Sequence, residues 1–141
     1  MQNASPNSSE FQLCALEVFE DERGLLLVLD ALEEKYFPVK RVFFISDFPT
    51  GETRGKHGHH ECEQILICLK GNLRLVVSLN GETRSLTLRE NEYVYLPKAT
   101  WASLESLHSS TFLAVLCSDK YDHEDFFYDP NHYVKGEVKN V

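Results

Sequence analysis

The sequence predicts an all-β domain, a sandwich or small jelly-roll barrel with short helical turns towards its ends. Three observations lead there. Short runs of β-branched, aromatic and leucine residues recur along the chain, each bounded by turn signals at close intervals. Asn80-Gly81 stands between "LRLVVSL" and "ETRSLTL", and both residues tolerate the positive φ of a two-residue hairpin. Helical patterning is confined to two short pieces, so evenly spaced strands and turns dominate.

In chain order, "MQNASPNSSE" is polar, lacking the basic start and apolar stretch of a secretory signal. Residues 1–10 are expected to form a disordered tail, and residues 11–141 a single domain. "LLLVLD" is the first strand-like run, and "DALEEKY" after it is a short helical piece. Strands are then predicted in "KRVFFIS", "EQILICLKG", the hairpin around Asn80-Gly81, "EYVYLP" and "TFLAVLCS". Gly71-Asn72 and Pro97 mark breaks between them. A last helical turn falls in "KYDHEDFFYD", which Pro130 stops. There is no internal repeat or low-complexity linker.

A chain of 141 residues has the length for a real core. Its 43% hydrophobic and 26% charged residues are those of a soluble globular protein. No apolar run approaches the roughly eighteen residues of a membrane span, so a cytoplasmic protein without a membrane partner is expected. The net charge of −8 argues against nucleic acid as a partner, because binding its backbone needs a basic face. Cations cluster only locally, at Lys40-Arg41 and at Arg54 and Lys56, which leaves room for a small anionic ligand. Cys14, Cys62, Cys68 and Cys117 have no CxxC spacing and sit in apolar contexts, the pattern of small buried hydrophobes in a reducing cytosol.

The chemistry concentrates in "TRGKHGHHECEQ", Thr53 to Gln64. On a continuous strand, His57, His59, Glu61 and Glu63 would share one side, with His60, Cys62 and Gln64 on the other. Two imidazoles two residues apart then converge on one space, and inside a small barrel that space is a pocket. Three readings stay open: a metal site, an acid–base pair, or a solvated strand end. The spacing of Gly51, His57, His59 and Glu63 resembles the first cupin motif, with Gly71 one residue late. The histidine that completes a metal set in such motifs has no counterpart near Pro97, although a His/His/Glu set could hold a metal with open positions. Acid–base work suits histidine because its ordinary pKa lies near neutrality.

The strings "KRVFFI", "RGKHGHHECEQILICLKG", "NEYVYLPKATW" and "LAVLCSDKYDHEDFF", with "DERGLLLVLD" upstream, together resemble the sugar 3,4-ketoisomerases, WxcM-like cupins that act on dTDP-4-keto-6-deoxyglucose. The resemblance spans roughly Phe11 to Tyr133. It implies a metal-independent, cofactor-free β-barrel enzyme. It also implies a homodimer that exchanges N-terminal strands, with a dTDP-linked keto-deoxysugar as substrate. The catalytic histidines carry over to His57 and His59, and the active-site arginine to Arg54, which is suited to grip a diphosphate. Tyr95 and Trp101, on either side of Pro97, are the further candidates for substrate binding, although each is equally core material. His59, deeper in the strand, is assigned the C3 proton, and His57, nearer the mouth, the proton transfer at C4. The chain departs from the family's pattern at Phe43-Phe44, where tyrosine is usual, and at His60, Ser103 and Tyr128. A non-catalytic sugar- or nucleotide-binding cupin and a metal-dependent cupin enzyme are the alternatives.

Overall fold

The computed structural model describes residues 11–134; the predicted tail at residues 1–10 lies outside them. The strands are β1 (Leu13–Ala15), β2 (Glu17–Asp21), β3 (Gly24–Val28), β4 (Arg41–Phe48), β5 (Thr53–His59), β6 (Gln64–Lys70), β7 (Asn72–Leu79), β8 (Glu82–Arg89), β9 (Glu92–Leu96), β10 (Trp101–Ser106), β11 (Thr111–Cys117) and β12 (Phe126–Phe127). One short helix, α1 (Leu32–Lys35), falls within "DALEEKY", and a single 3-10 turn, His123–Asp125, lies near the C-terminal end. The all-β expectation holds.

Two five-stranded antiparallel sheets face each other, in the orders β1-β9-β6-β11-β4 and β12-β5-β10-β7-β8. Between them lies the main core. The first sheet contributes Leu66, Cys68, Val94, Leu96, Leu113 and Val115, and the second Leu73, Leu75, Val77, Leu88, Ala102 and Leu104. The other face of the first sheet is covered as well: Ile65, Ile67, Tyr93 and Ala114 pack with Leu16 and Phe37. Burial on both faces explains why "QILICLK" and "TFLAVLC" read as unbroken apolar runs rather than alternating ones. The hairpin turn between β7 and β8 has Asn80 at φ 53° and Gly81 at φ 84°, with Leu79 paired to Glu82, as a two-residue primed turn requires.

Strands β2, β5 and β10 gave no clear sequence signal. "EVFED", "TRGKHGH" and "WASLES" are poor in β-branched residues, and their extended state comes from pairing with neighbours. Strand β10 is clamped between β5 and β7. The hairpin β2–β3 pairs only with itself and leaves Val18, Phe19, Leu25 and Leu26 exposed. Strand β4 is an outer edge of its sheet, with Val42 and Phe44 exposed.

Candidate active site

The site begins with an irregularity in β5. In the β10–β5 register Ala102 pairs with His57 and Ser103 with Gly55, so Lys56 is an extra residue on the β5 side. Gly55 and Lys56 both take positive φ, 89° and 63°. This β-bulge resets the alternation of the strand. Without it, Arg54 would face away from His57, three residues on; with it, Arg54, His57 and His59 all line one cavity. Gly55 is required at the bulge for space as well as for φ, since a Cβ there would meet the Ala102 carbonyl oxygen at 3.0 Å.

The cavity, about 150 Å³, lies between the two sheets. Its polar lining is Arg54, His57, His59, Gln64 and Thr100, and its apolar lining includes Phe43, Ile45, Leu96 and Val115. A cavity of this size holds one six-membered ring. The rest of a larger ligand would lie outside it.

The imidazoles of His57 and His59 have ring centroids 5.2 Å apart at 75°. His57 Nδ1 lies 3.1 Å from the Gly55 carbonyl oxygen. A carbonyl only accepts, so Nδ1 carries the proton and Nε2 keeps its lone pair in the neutral ring. Burial holds the pKa of His57 below its ordinary value, with the Gly55 bond opposing. His59 is only 7% exposed, and its pKa falls to about 4, through burial first and then the neighbouring charge of His57, with Asp125 pulling the other way. Both rings are therefore neutral bases at neutral pH.

Phe126 was not singled out from the sequence. Its ring stacks on His57 at 4.3 Å and 5°, and meets His59 edge-on at 4.8 Å and 77°. Strand β12 holds it there by pairing Phe126 with His59. The Asp125 carboxylate accepts the Glu61 and Cys62 backbone N–H groups at 2.9 and 3.1 Å. Only the aromatic richness of "YDHEDFF" points to this segment in the sequence, where a last helical turn is expected.

The residues expected beside the histidines are distributed differently. The chain turns at His60 and Glu61, and β6 begins at Gln64 in the opposite sheet, so "HGHHECEQ" is not one strand. Gln64 faces the cavity rather than away from it, and Glu63 points to the other face, where it accepts the Tyr95 hydroxyl at 2.6 Å. The His57, His59 and Glu63 donor set of a metal site is thus not assembled. Tyr95 lies with Tyr36 and Phe37 on the outer side of β9, because Val94 and Leu96 take the inner positions. Trp101 alternates with the inward Thr100 and Ala102, and its Nε1 donates to the Tyr128 carbonyl at 2.9 Å. Neither aromatic is brought to the cavity. Of the pair after "KRV", Phe43 lines the cavity and Phe44 stacks on Phe112 outside it.

The family described as WxcM-like, C-terminal (FdtA) matches residues 9–137, which include every element of the site. The chain belongs to the WxcM-like family. A TDP-4-oxo-6-deoxy-alpha-D-glucose-3,4-oxoisomerase from Aneurinibacillus thermoaerophilus is 31% identical over 120 residues, 84% of this chain and 86% of that protein. The crystal structure of a 3,4-ketoisomerase from Helicobacter canadensis superimposes with a TM-score of 0.79 at 28% identity, covering 89% of this chain and 96% of the other. A double mutant of the QdtA 3,4-ketoisomerase from Thermoanaerobacterium thermosaccharolyticum, in complex with TDP, does so with a TM-score of 0.79 at 26% identity, covering 90% and 93%. Within the WxcM-like frame, the bulge, the imidazole pair and the Phe126 stack form one unit on β5 and β12.

Proposed function

We propose that this protein is a 3,4-ketoisomerase of a TDP-linked 4-keto-6-deoxyhexose, working by acid–base enediol chemistry at His57 and His59. The observation that carries the reading is the convergence of two neutral imidazoles on a cavity sized for one sugar ring. The C3 proton is acidic because it lies α to the C4 ketone. His59 takes it, and the C–H electrons form the C3–C4 double bond as negative charge moves to the C4 oxygen. The protonated His59 returns that proton to the oxygen, giving the enediol. Neutral His57 then takes the C3 hydroxyl proton as the oxygen's electrons form the C3 ketone, and it delivers that proton to C4. No electron leaves the sugar, so the balance closes without a redox cofactor. Turnover of TDP-4-keto-6-deoxyglucose, followed by NMR of the product, tests the reading. If the keto group stays at C4, the reading fails.

Arg54 sits at the cavity lining, three residues before His57. A ring held inside leaves the diphosphate at the rim, within the compass of a guanidinium that can grip it with two hydrogen bonds. Binding of that kind is shared by ground and transition states. Arg54→Ala should raise KM by more than it lowers kcat. Steady-state kinetics check this, and a kcat loss at unchanged KM would place Arg54 at the reacting carbons instead.

The reading extends to a homodimer built through the N-terminal hairpin. Hairpin β2–β3 exposes Phe19, Leu25 and Leu26, at 52%, 52% and 62%, and β4 offers an unpaired sheet edge. An apolar hairpin and a bare edge are complementary liabilities that strand exchange between two copies would cover. Light scattering should return twice the mass of the 16.2 kDa chain; a monomer at micromolar concentration would sink the idea. A cytoplasmic location fits the four free cysteines, and among the described residues no helix is long and apolar enough to cross a membrane.

A further inference from the structure

Thr100 immediately precedes β10, where the pairing of β10 with β5 ends. The β10–β5 register pairs Trp101 with Gly58, one step further along, and the Ala99 N–H donates to the His59 carbonyl at 2.7 Å. Both Thr100 and His59 line the cavity. Thr100 is 5% exposed. Its Oγ1 is buried without a hydrogen-bond partner among the described residues. Two other side-chain atoms share that condition, Arg41 Nε and Asn72 Oδ1, but neither residue lines the cavity.

A buried hydroxyl without a partner is costly, and valine has the same shape without that cost. Thr100 is also stiff at χ1, so its hydroxyl is aimed before any ligand arrives. We infer that Thr100 is a substrate-contacting residue of the reaction, whose hydroxyl donates a hydrogen bond to a sugar oxygen on C3 or C4. This role rests on the ketoisomerase reading. His59 removes the proton whose electrons drive charge onto those oxygens, and Thr100 lines the same cavity as His59. A donor fixed beside the place where charge develops stabilises the enediolate more than the ground-state ketone.

Thr100→Val and Thr100→Ser, compared with wild type in thermal unfolding and in steady-state turnover of TDP-4-keto-6-deoxyglucose, test it. Thr100→Val should keep or raise Tm, because it removes the unpartnered hydroxyl and preserves shape. Its kcat should fall about 10- to 100-fold while KM changes much less. Thr100→Ser should keep most of the kcat. A Thr100→Val protein with wild-type kcat overturns the inference, and so does one that loses kcat and Tm together, which would make the hydroxyl a structural partner. Equal losses in both variants would assign the effect to the methyl group and also overturn it. Wild-type protein that does not turn the sugar over would instead remove the ketoisomerase reading, and this role with it.

Discussion

His59→Asn should nearly abolish both isomerisation and the exchange of the C3 hydrogen with D₂O. Removing a positioned acid–base group costs on the order of 10²–10⁴ in rate, and His59 is the deeper, more buried member of the pair. His57→Asn should impair isomerisation but retain some C3 exchange, because the enediol can still form and return. Both rates measured in both variants decide the roles, and exchange lost only in His57→Asn would reverse them. The pH dependence adds a second reading. On the acid–base reading activity needs neutral imidazoles, and the pKa of His59 is lowered from 6.5 to about 4. The acid limb of kcat/KM should therefore lie below 6.5 rather than at it. The same displacement acts on stability. Below pH 6.5 the unfolded chain binds a proton at His59 that the folded chain refuses until about pH 4. Stability is thus lost as pH falls through that window, by about 3 kcal/mol in all. His59→Asn should flatten that part of the stability–pH curve. An unchanged curve would mean that His59 titrates normally in the folded protein.

Gly58→Ala should lower Tm by roughly 3–10 °C and take most of the activity with it. Gly58 faces the outer side of β5, opposite the cavity, and its backbone needs no special φ. What it needs is space: a Cβ there would lie 2.5 Å from the Thr100 carbonyl oxygen and would run into the ring of Phe127. Phe127 is 5% exposed and packs among His60, His132 and Tyr133, so it cannot simply swing away. The methyl group would push β12 off β5 and part β5 from β10 at His59 and Thr100. Phe126, paired with His59 through β12, would lose its seat on both imidazoles. Replacing Phe127 with leucine in the same chain should recover part of the Tm, with the Thr100 carbonyl clash left in place. Thermal unfolding of the single and double variants checks both expectations. A Gly58→Ala protein with wild-type Tm would show that β5 and β12 separate at little cost.

Much of this was legible in the sequence, for reasons that differ from residue to residue. The β7–β8 hairpin was readable because Asn80-Gly81 is a local signal: two adjacent residues that accept positive φ. The strands buried on both faces were readable because their apolar runs are continuous. His57 and His59 were found to share a face because their spacing of two matches the pleat. Other features depend on partners distant in sequence. Arg54 joins the histidines only because a bulge at Gly55-Lys56 is matched to Ser103, some fifty residues later. The sides of Glu63 and Gln64 could not be read from "HGHHECEQ", since the chain changes sheet between β5 and β6. Alternation extended across that break assigned both to the wrong face. Tyr95 and Trp101 sit at strand positions whose inward neighbours are the smaller Val94, Leu96, Thr100 and Ala102, and parity there is set by register.

By itself, then, the amino-acid sequence determined the β class, the hairpin and the pair of imidazoles on one strand face, because each depends on residues within a few positions of one another. Only the tertiary structure decided which groups surround that pair. Phe126 reaches His57 and His59 through β12, about seventy residues away along the chain, and Thr100 joins them at the cavity from just before β10. Gln64 arrives from the opposite sheet. The burial that lowers the pKa of His59 is the sum of these approaches. Strand pairing and sheet packing bring them together, and neither is encoded in the local pattern around "HGH".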